Sequence, residues 1–301
     1  MSYFNNLRDT FSERYSKVNQ DDDYYYLYKH FSYGAKDSEY EFKVLDTFNN
    51  CSLLFSKPNS FNDPYDCLSI IDYDFTGITR AELEEILKIR ITNKNFKLYK
   101  EKYIKDLKSL DTIQQWGDLR RNGFHLTCFN NSPLNILMWS HYTNNHQGFM
   151  IECKFKKREK IYNHLPIPVI YSNNFPEIKY PYNAHTSMCL KNIEFGSEAL
   201  IKLFSNKAEC WAYENEFRLI NTNDNINKSL DKVPVPIESE MFVSVIFGVK
   251  TNERCMNETR TSINTFNKKY GKNIITYKAE MLNKKYELFV PDHPRLDVEL
   301  K

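Results

Sequence analysis

The sequence predicts an α+β fold, a mixed and mostly antiparallel sheet with peripheral helices. Short aromatic or alternating runs recur along the chain without the strand-helix alternation of a regular doubly wound sheet. Helical spacing of apolar residues is confined to a few stretches, above all an inserted region near residues 79–122. The composition is globular: 301 residues, 41% hydrophobic and 27% charged, with 21 Tyr and 21 Phe against 8 Gly. Such a core is built from rings, and its many tyrosine hydroxyls need partners at the edge.

The elements follow in order. After a polar tail over residues 1–23, Tyr24 to His30 reads as a first strand and Cys51 to Ser56 as a second. Lys57 to Pro64, with two prolines and an Asn-Asp pair, demands a fixed loop. Thr79-Arg80-Ala81-Glu82 has capping-box spacing and opens the helical region. Phe124 to Phe129 alternates as a strand, and Ser132-Pro133 places an N-cap and a first-turn proline before a helix to Asn144. Gly148 to Phe155 is a strand, continued by Val169 to Ser172; Asn192 to Lys207 is helical and Trp211 to Asn221 a strand. Strands at Val233 to Ile237 and Phe242 to Phe247, a helix at Asn252 to Lys269, and strands at Ile274 to Lys278 and Tyr286 to Val290 close the chain. With no repeat and no Gly/Ser or Pro-rich linker, one domain over residues 1–301 is expected.

A net charge of +2 argues against a protein whose task is coating nucleic acid or an anionic membrane. Seven Cys without a C-x-x-C pair fit neither a disulfide framework nor a zinc ribbon. The polar start and the lack of a long apolar run lead us to expect a cytoplasmic protein. Gly-x-Ser-x-Gly, the P-loop and Gly-x-Gly-x-x-Gly are all missing.

The sharpest motif is Trp211-Ala212-Tyr213-Glu214-Asn215-Glu216-Phe217-Arg218. On a strand, Glu214, Glu216 and Arg218 project from one side and the aromatics from the other. Three charges on one face are too costly to bury unpaired, so they face water, each other or a ligand. Two readings stay open: a solvated face laced with an ion pair, or two carboxylates at a cleft, one stabilising a developing cation and one accepting a proton. In the helix before it, Trp139 and Tyr142 share one face and Met138 and His141 the next. His141 and His146 lack a nearby third ligand, so no metal is expected; bonding to local backbone is the alternative role. Asn62, Asp63 and Asp66 form either a bare turn or contacts to a hydroxyl-rich ligand or cation, and Lys29 and His30 either meet an anion or face solvent. The lysines from Lys94 to Lys108 are interleaved with Phe96, Tyr99 and Tyr103, which pack inward if the stretch is helical.

Leu27-Tyr28-Lys29-His30, Phe55 to Pro58 with Phe61 to Asp66, Cys128-Phe129, Met138 to Tyr142 with His146 to Phe149, and Trp211-x-Tyr213-Glu214-x-Glu216-x-Arg218 together resemble a bacterial family of unknown function, number 2971 in the domain-of-unknown-function series. The family's usual aromatic after the first-strand lysine is here His30, and its usual Ser-Glu after Cys-Phe is here Asn130-Asn131. This resemblance implies a compact α+β domain and no established reaction. The order of motifs is also similar to the ADP-ribosyltransferase superfamily. That likeness implies NAD as substrate, His30 on its ribose, Ser56 lining the nicotinamide pocket, Glu216 stabilising an oxocarbenium-like transition state and Glu214 orienting an acceptor.

Three functions are therefore expected. The first is an NAD-consuming transferase or glycohydrolase of the kind a toxin or phage-defence effector uses, with Glu216 and Glu214 catalytic and a nucleic-acid or protein acceptor. The second is a non-catalytic module binding a nucleotide, small molecule or partner through Lys29, His30, Ser56, Asn62, Asp63, Trp139, His141, Tyr142, His146 and Arg218. The third is a metal-dependent nuclease or phosphohydrolase using Asp63, Asp66, Glu214 and the histidines.

Overall fold

The computed structural model describes residues 11–33, 39–74, 77–107, 123–157, 165–181, 201–221 and 229–297. Two compact units emerge, one drawn from Met1–Lys57, His125–Val169 and Glu209–Lys301, the other from Pro58–Phe124 and Ile170–Ala208.

In the first unit the principal strands are β1 (Tyr24–Phe31), β2 (Ser52–Ser56), β3 (His125–Asn130), β4 (Phe149–Lys156), β5 (Glu216–Asn221), β6 (Lys232–Pro236), β7 (Phe242–Phe247) and β8 (Ile275–Lys278). They belong to one ten-stranded sheet of order β6-β2-β3-β1-β4-β7-β8, with β5 lying against β3 off that path. All pairs in it are antiparallel except β7 with β8, so the sheet is mixed and mostly antiparallel, as expected. Aromatic β1 is central, paired with β4 from Tyr24 opposite Lys156 to Phe31 opposite Phe149. Period-two alternation sends Tyr28 and Met150 to one face, where they pack with Trp139, Ile246, Val290 and Leu296.

Helices α1 (Glu39–Asn49) and α3 (Glu253–Tyr270) contribute to a second core, in which Phe48 and Phe266 meet around Phe242. Asn252 caps α3 by accepting from the Cys255 N–H, and Gly271 ends it in the left-handed region at φ 63°. Between β3 and β4 runs the short α2 (Ile136–Tyr142). Its N-cap is Asn135, whose side chain accepts from Leu137 N and Met138 N, and not the expected Ser132. Helix α2 ends on three consecutive left-handed residues, Asn144, Asn145 and His146, at φ 49°, 57° and 69°; the Asn pair tolerates that conformation better than most residues. Their reversal is held by close backbone approaches. A Cβ on Gly148 would lie 2.0 Å from the Phe31 carbonyl oxygen, and one on Gly248 would lie 2.3 Å from that of His146.

The second unit pairs Ile70–Asp74 with Glu177–Pro181 and Ile170–Ser172 with Asn206–Ala208, both in parallel. This corrects the expected helix at 192–207: Asn206–Ala208 is strand, 201–204 are helical, and 192–200 lie outside the described residues. It also separates Ile170–Ser172 from β4. Within 79–122, Arg80–Leu87 and Phe96–Leu107 are helices, and 108–122 lie outside the described residues. Thr79 and Glu82 form the anticipated capping box. Phe96, Tyr99 and Tyr103 pack on Ile78, Leu83 and Ile91 while Lys97 is exposed, so this interleaved stretch uses its rings for packing. Among the described residues no helix is long and apolar enough to cross a membrane.

Candidate functional site

The Trp211–Asn221 stretch departs from expectation. Glu209–Glu214 is a 3-10 helix, Asn215 stands at φ 44°, and the strand begins only at Glu216. Glu214 therefore does not share a strand face with Glu216 and Arg218. The three charges are also buried, at 2%, 4% and 0% exposure, so neither a solvated face nor an open cleft holds them; of the expected settings, Glu216 and Arg218 take that of facing each other. The reason is the position of β5: it pairs along its length with β3 and on its other edge with Ile167–Pro168. Burial of Glu216 and Arg218 is tolerated because they satisfy each other. Arg218 Nε donates to Glu216 Oε1 at 2.7 Å and Nη2 to Oε2 at 3.1 Å. Burial, reinforced by the Glu216 charge, raises the Cys128 thiol well above its ordinary range.

The turn before β5 is docked on the loop before α2 by a set of hydrogen bonds. Asn131 N donates to Asn215 O at 3.0 Å, Asn215 Nδ2 to Ser132 Oγ at 2.7 Å and Asn135 Nδ2 to Tyr213 O at 3.2 Å. Tyr142, at the end of α2, donates its hydroxyl to Glu214. Tyr142, Glu214, Glu216 and Arg218 thus sit in adjoining segments of the same unit, with His141 exposed and its ring 6.2 Å from that of Tyr213.

His30 in β1 and Asn130 in β3 meet each other. Asn130 Nδ2 donates to His30 Nδ1 at 2.9 Å and to the Tyr28 carbonyl at 2.9 Å. The His30 ring lies edge-on to Trp139 at 5.0 Å, and burial pushes its pKa down to about 3, which leaves the imidazole neutral at ordinary pH. Trp139 is fully buried with Nε1 donating to the Pro133 carbonyl at 2.7 Å. His146 stacks on Trp139 and places Nε2 3.2 Å from Ser140 Oγ; burial, with the Lys250 charge, lowers its pKa. Lys29 donates to the Cys128 carbonyl at 3.0 Å with its ammonium near the Phe31 and Phe129 rings, and burial lowers its pKa. Ser56 ends β2, opposite Lys232 and Leu126. Asn62 and Asp63 belong to the second unit. There Asn62 is exposed, while Asp63 is buried and its Oδ1 accepts from Tyr65 N at 2.9 Å. Nearby in sequence, buried Asp66 pairs with buried Lys207 at 3.7 Å.

A second buried cluster has no counterpart in the sequence reading. Glu152, fully buried in β4, accepts from Arg295 Nε at 2.6 Å and Nη2 at 2.8 Å, from Ser244 at 2.8 Å and from the Tyr28 hydroxyl at 3.2 Å. His293 Nε2 lies 3.5 Å away. Burial alone would raise this carboxyl, but the hydrogen bonds from His293 and Arg295 and the arginine charge outweigh it and hold the pKa at about 2. Beside the cluster opens a cleft of about 330 Å³ lined by Asn19, the Ser132–Asn135 turn and the Arg295–Asp297 segment. One signal for it was visible: Glu152 interrupts the otherwise apolar run Phe149-Met150-Ile151. Nothing local marks Arg295 or Asn19, which arrive by tertiary folding.

Among the described residues no group of three or more His, Cys, Asp or Glu side chains is arranged to hold a metal. No curated protein and no solved structure matches the chain, so nothing in these comparisons bears on the ADP-ribosyltransferase likeness. Residues 138–219 match the model of a family described as a protein of unknown function (DUF2971). That segment carries Met138 to Tyr142 and Trp211 to Arg218, whereas the motifs around Lys29, Asp63 and Cys128 lie outside it. The resemblance of this chain to the DUF2971 family accordingly holds over residues 138–219.

Proposed function

We propose that the first unit is a non-catalytic module that binds a small polar ligand in the cleft between the Ser132–Asn135 turn and the Arg295–Asp297 segment. The observation that carries this reading is the cleft itself, about 330 Å³, with Pro133, Leu134 and Leu296 supplying apolar walls and Asn19, Ser132 and Arg295 polar groups. Ligand sites are typically such concave, mainly apolar pockets with a few fixed polar groups. A binding role is favoured over NAD cleavage by the state of Glu216. A carboxylate that stabilises an oxocarbenium-like centre must reach the substrate, whereas both Glu216 oxygens accept from Arg218 behind 4% exposure. Glu214 is likewise engaged by Tyr142.

The test is a thermal-shift screen of the purified chain against nucleosides, nucleotides and NAD, followed by product analysis for every ligand that stabilises it. Stabilisation without turnover, lost when Leu134→Trp fills the cleft, is the expected outcome. Release of nicotinamide from NAD, abolished by Glu216→Gln in a variant that still folds, would replace this reading with the NAD-consuming one.

A further inference from the structure

We infer that the cleft selects an uncharged nucleobase-type ring, a base or nucleoside, and gives no added affinity to a phosphate; the inference rests on the binding reading above. Charge decides it first. Arg295 is the one cationic residue among those lining the cleft, and its Nε and Nη2 are both held by Glu152 at 2.6 and 2.8 Å. A carboxylate already matched in bidentate geometry leaves the guanidinium little net charge to offer an anion. The remaining ionisable side chain of the lining is acidic Asp297. A phosphate entering here would meet a neutralised arginine and a carboxylate, the reverse of the usual phosphate site.

The hydrogen-bonding groups then narrow the ligand. Asn135 is occupied on both sides, by Leu137 N and Met138 N at its oxygen and by the Tyr213 carbonyl at its nitrogen. Asn19 donates Nδ2 to the Tyr28 hydroxyl at 3.0 Å, which leaves its Oδ1 as an acceptor. Ser132 Oγ accepts from Asn215 and keeps its own hydrogen to donate. Arg295 uses Nε and Nη2 on Glu152, so Nη1 keeps its hydrogens for a ligand. Asp297 is already engaged, accepting from Asp292 N at 2.8 Å. Beside it and the apolar Pro133, Leu134 and Leu296, the acceptor of Asn19 and the donors of Ser132 and Arg295 suit a flat ring whose edge carries both an N–H and a carbonyl or ring nitrogen.

Isothermal titration calorimetry of the full chain with the four ribonucleosides, their 5′-monophosphates and NAD tests this. The expected result is that at least one nucleoside binds as tightly as its own monophosphate. Ser132→Ala should weaken it by about fivefold, the worth of one hydrogen bond, and Leu134→Trp by more than about tenfold. The unliganded melting temperature of each variant verifies its fold. A monophosphate that binds more than about tenfold tighter than its nucleoside, still blocked by Leu134→Trp, overturns the uncharged-ligand inference while leaving the binding reading intact. If no probe binds, or binding ignores both substitutions, the cleft reading falls and this inference with it.

Discussion

Among the described residues of the first unit, the buried carboxylates Glu216 and Glu152 are each paired with an arginine, and the two pairs differ in a way that separates scaffold from site. Arg218 reaches Glu216 two residues away along β5, and its side chain has no exposure. Arg295 reaches Glu152 across 143 residues of sequence, and its side chain remains 24% exposed at the mouth of a cleft. The local pair is sealed and serves the sheet. The long-range pair has one face in the core and one toward a pocket, stacked at 3.9 Å over Tyr26, which is where a ligand can be met without breaking the fold. Charge at the centre of a motif is thus no guide to function unless one partner keeps a route to solvent.

Three substitutions sharpen that contrast. The largest effect belongs to Glu216→Ala, which removes the bidentate carboxylate from the fully buried Arg218; unfolding in urea should show a loss of about 3 kcal/mol. If stability were unchanged while a ligand-dependent activity vanished, the pair would be a site and not a scaffold.

Arg295→Ala comes next, at about 2 kcal/mol, because Ser244 and Tyr28 still hydrogen-bond Glu152. Its pH signature is specific. The Glu152 carboxyl is held down at about 2 against an ordinary 4.5, so its contribution is fully present above about pH 4.5 and is lost as pH falls through about 2. Without Arg295 the acid-unfolding midpoint followed by circular dichroism should move to higher pH. An unmoved midpoint would mean that Arg295 does not set this carboxyl.

The smallest of the three is Tyr142→Phe, which removes the donor to buried Glu214. A cost of about 1 kcal/mol in the same urea assay is expected. A loss as large as that of Glu216→Ala would show that the turn before β5 is as structurally demanding as β5 itself.

Much of the fold was legible because it rests on local rules. The aromatic run of β1, the box at Thr79 and Glu82 and the helix from about Asn252 each follow from spacing within a few residues. The candidate site was legible only in part. Glu216 and Arg218 were correctly placed on one face because alternation along a strand is local. Glu214 was not, since Asn215 breaks the strand before it, in a turn held by Asn131 and Ser132 from another part of the chain. Exposure was misjudged for a similar reason: a charged motif looks solvent-facing until β3 and Ile167–Pro168 close over both edges of its strand.

By itself, then, the sequence determined the α+β class, the aromatic first strand and the shared strand face of Glu216 and Arg218. Each depends on backbone geometry and on neighbours a few residues apart. The tertiary structure alone decided that this pair is sealed, that Asn130 answers His30, and that Asn19, Ser132 and Arg295 line one cleft. Those facts depend on which distant segments remove each group from water, and a side chain's partner across 143 residues leaves no periodic trace in the chain.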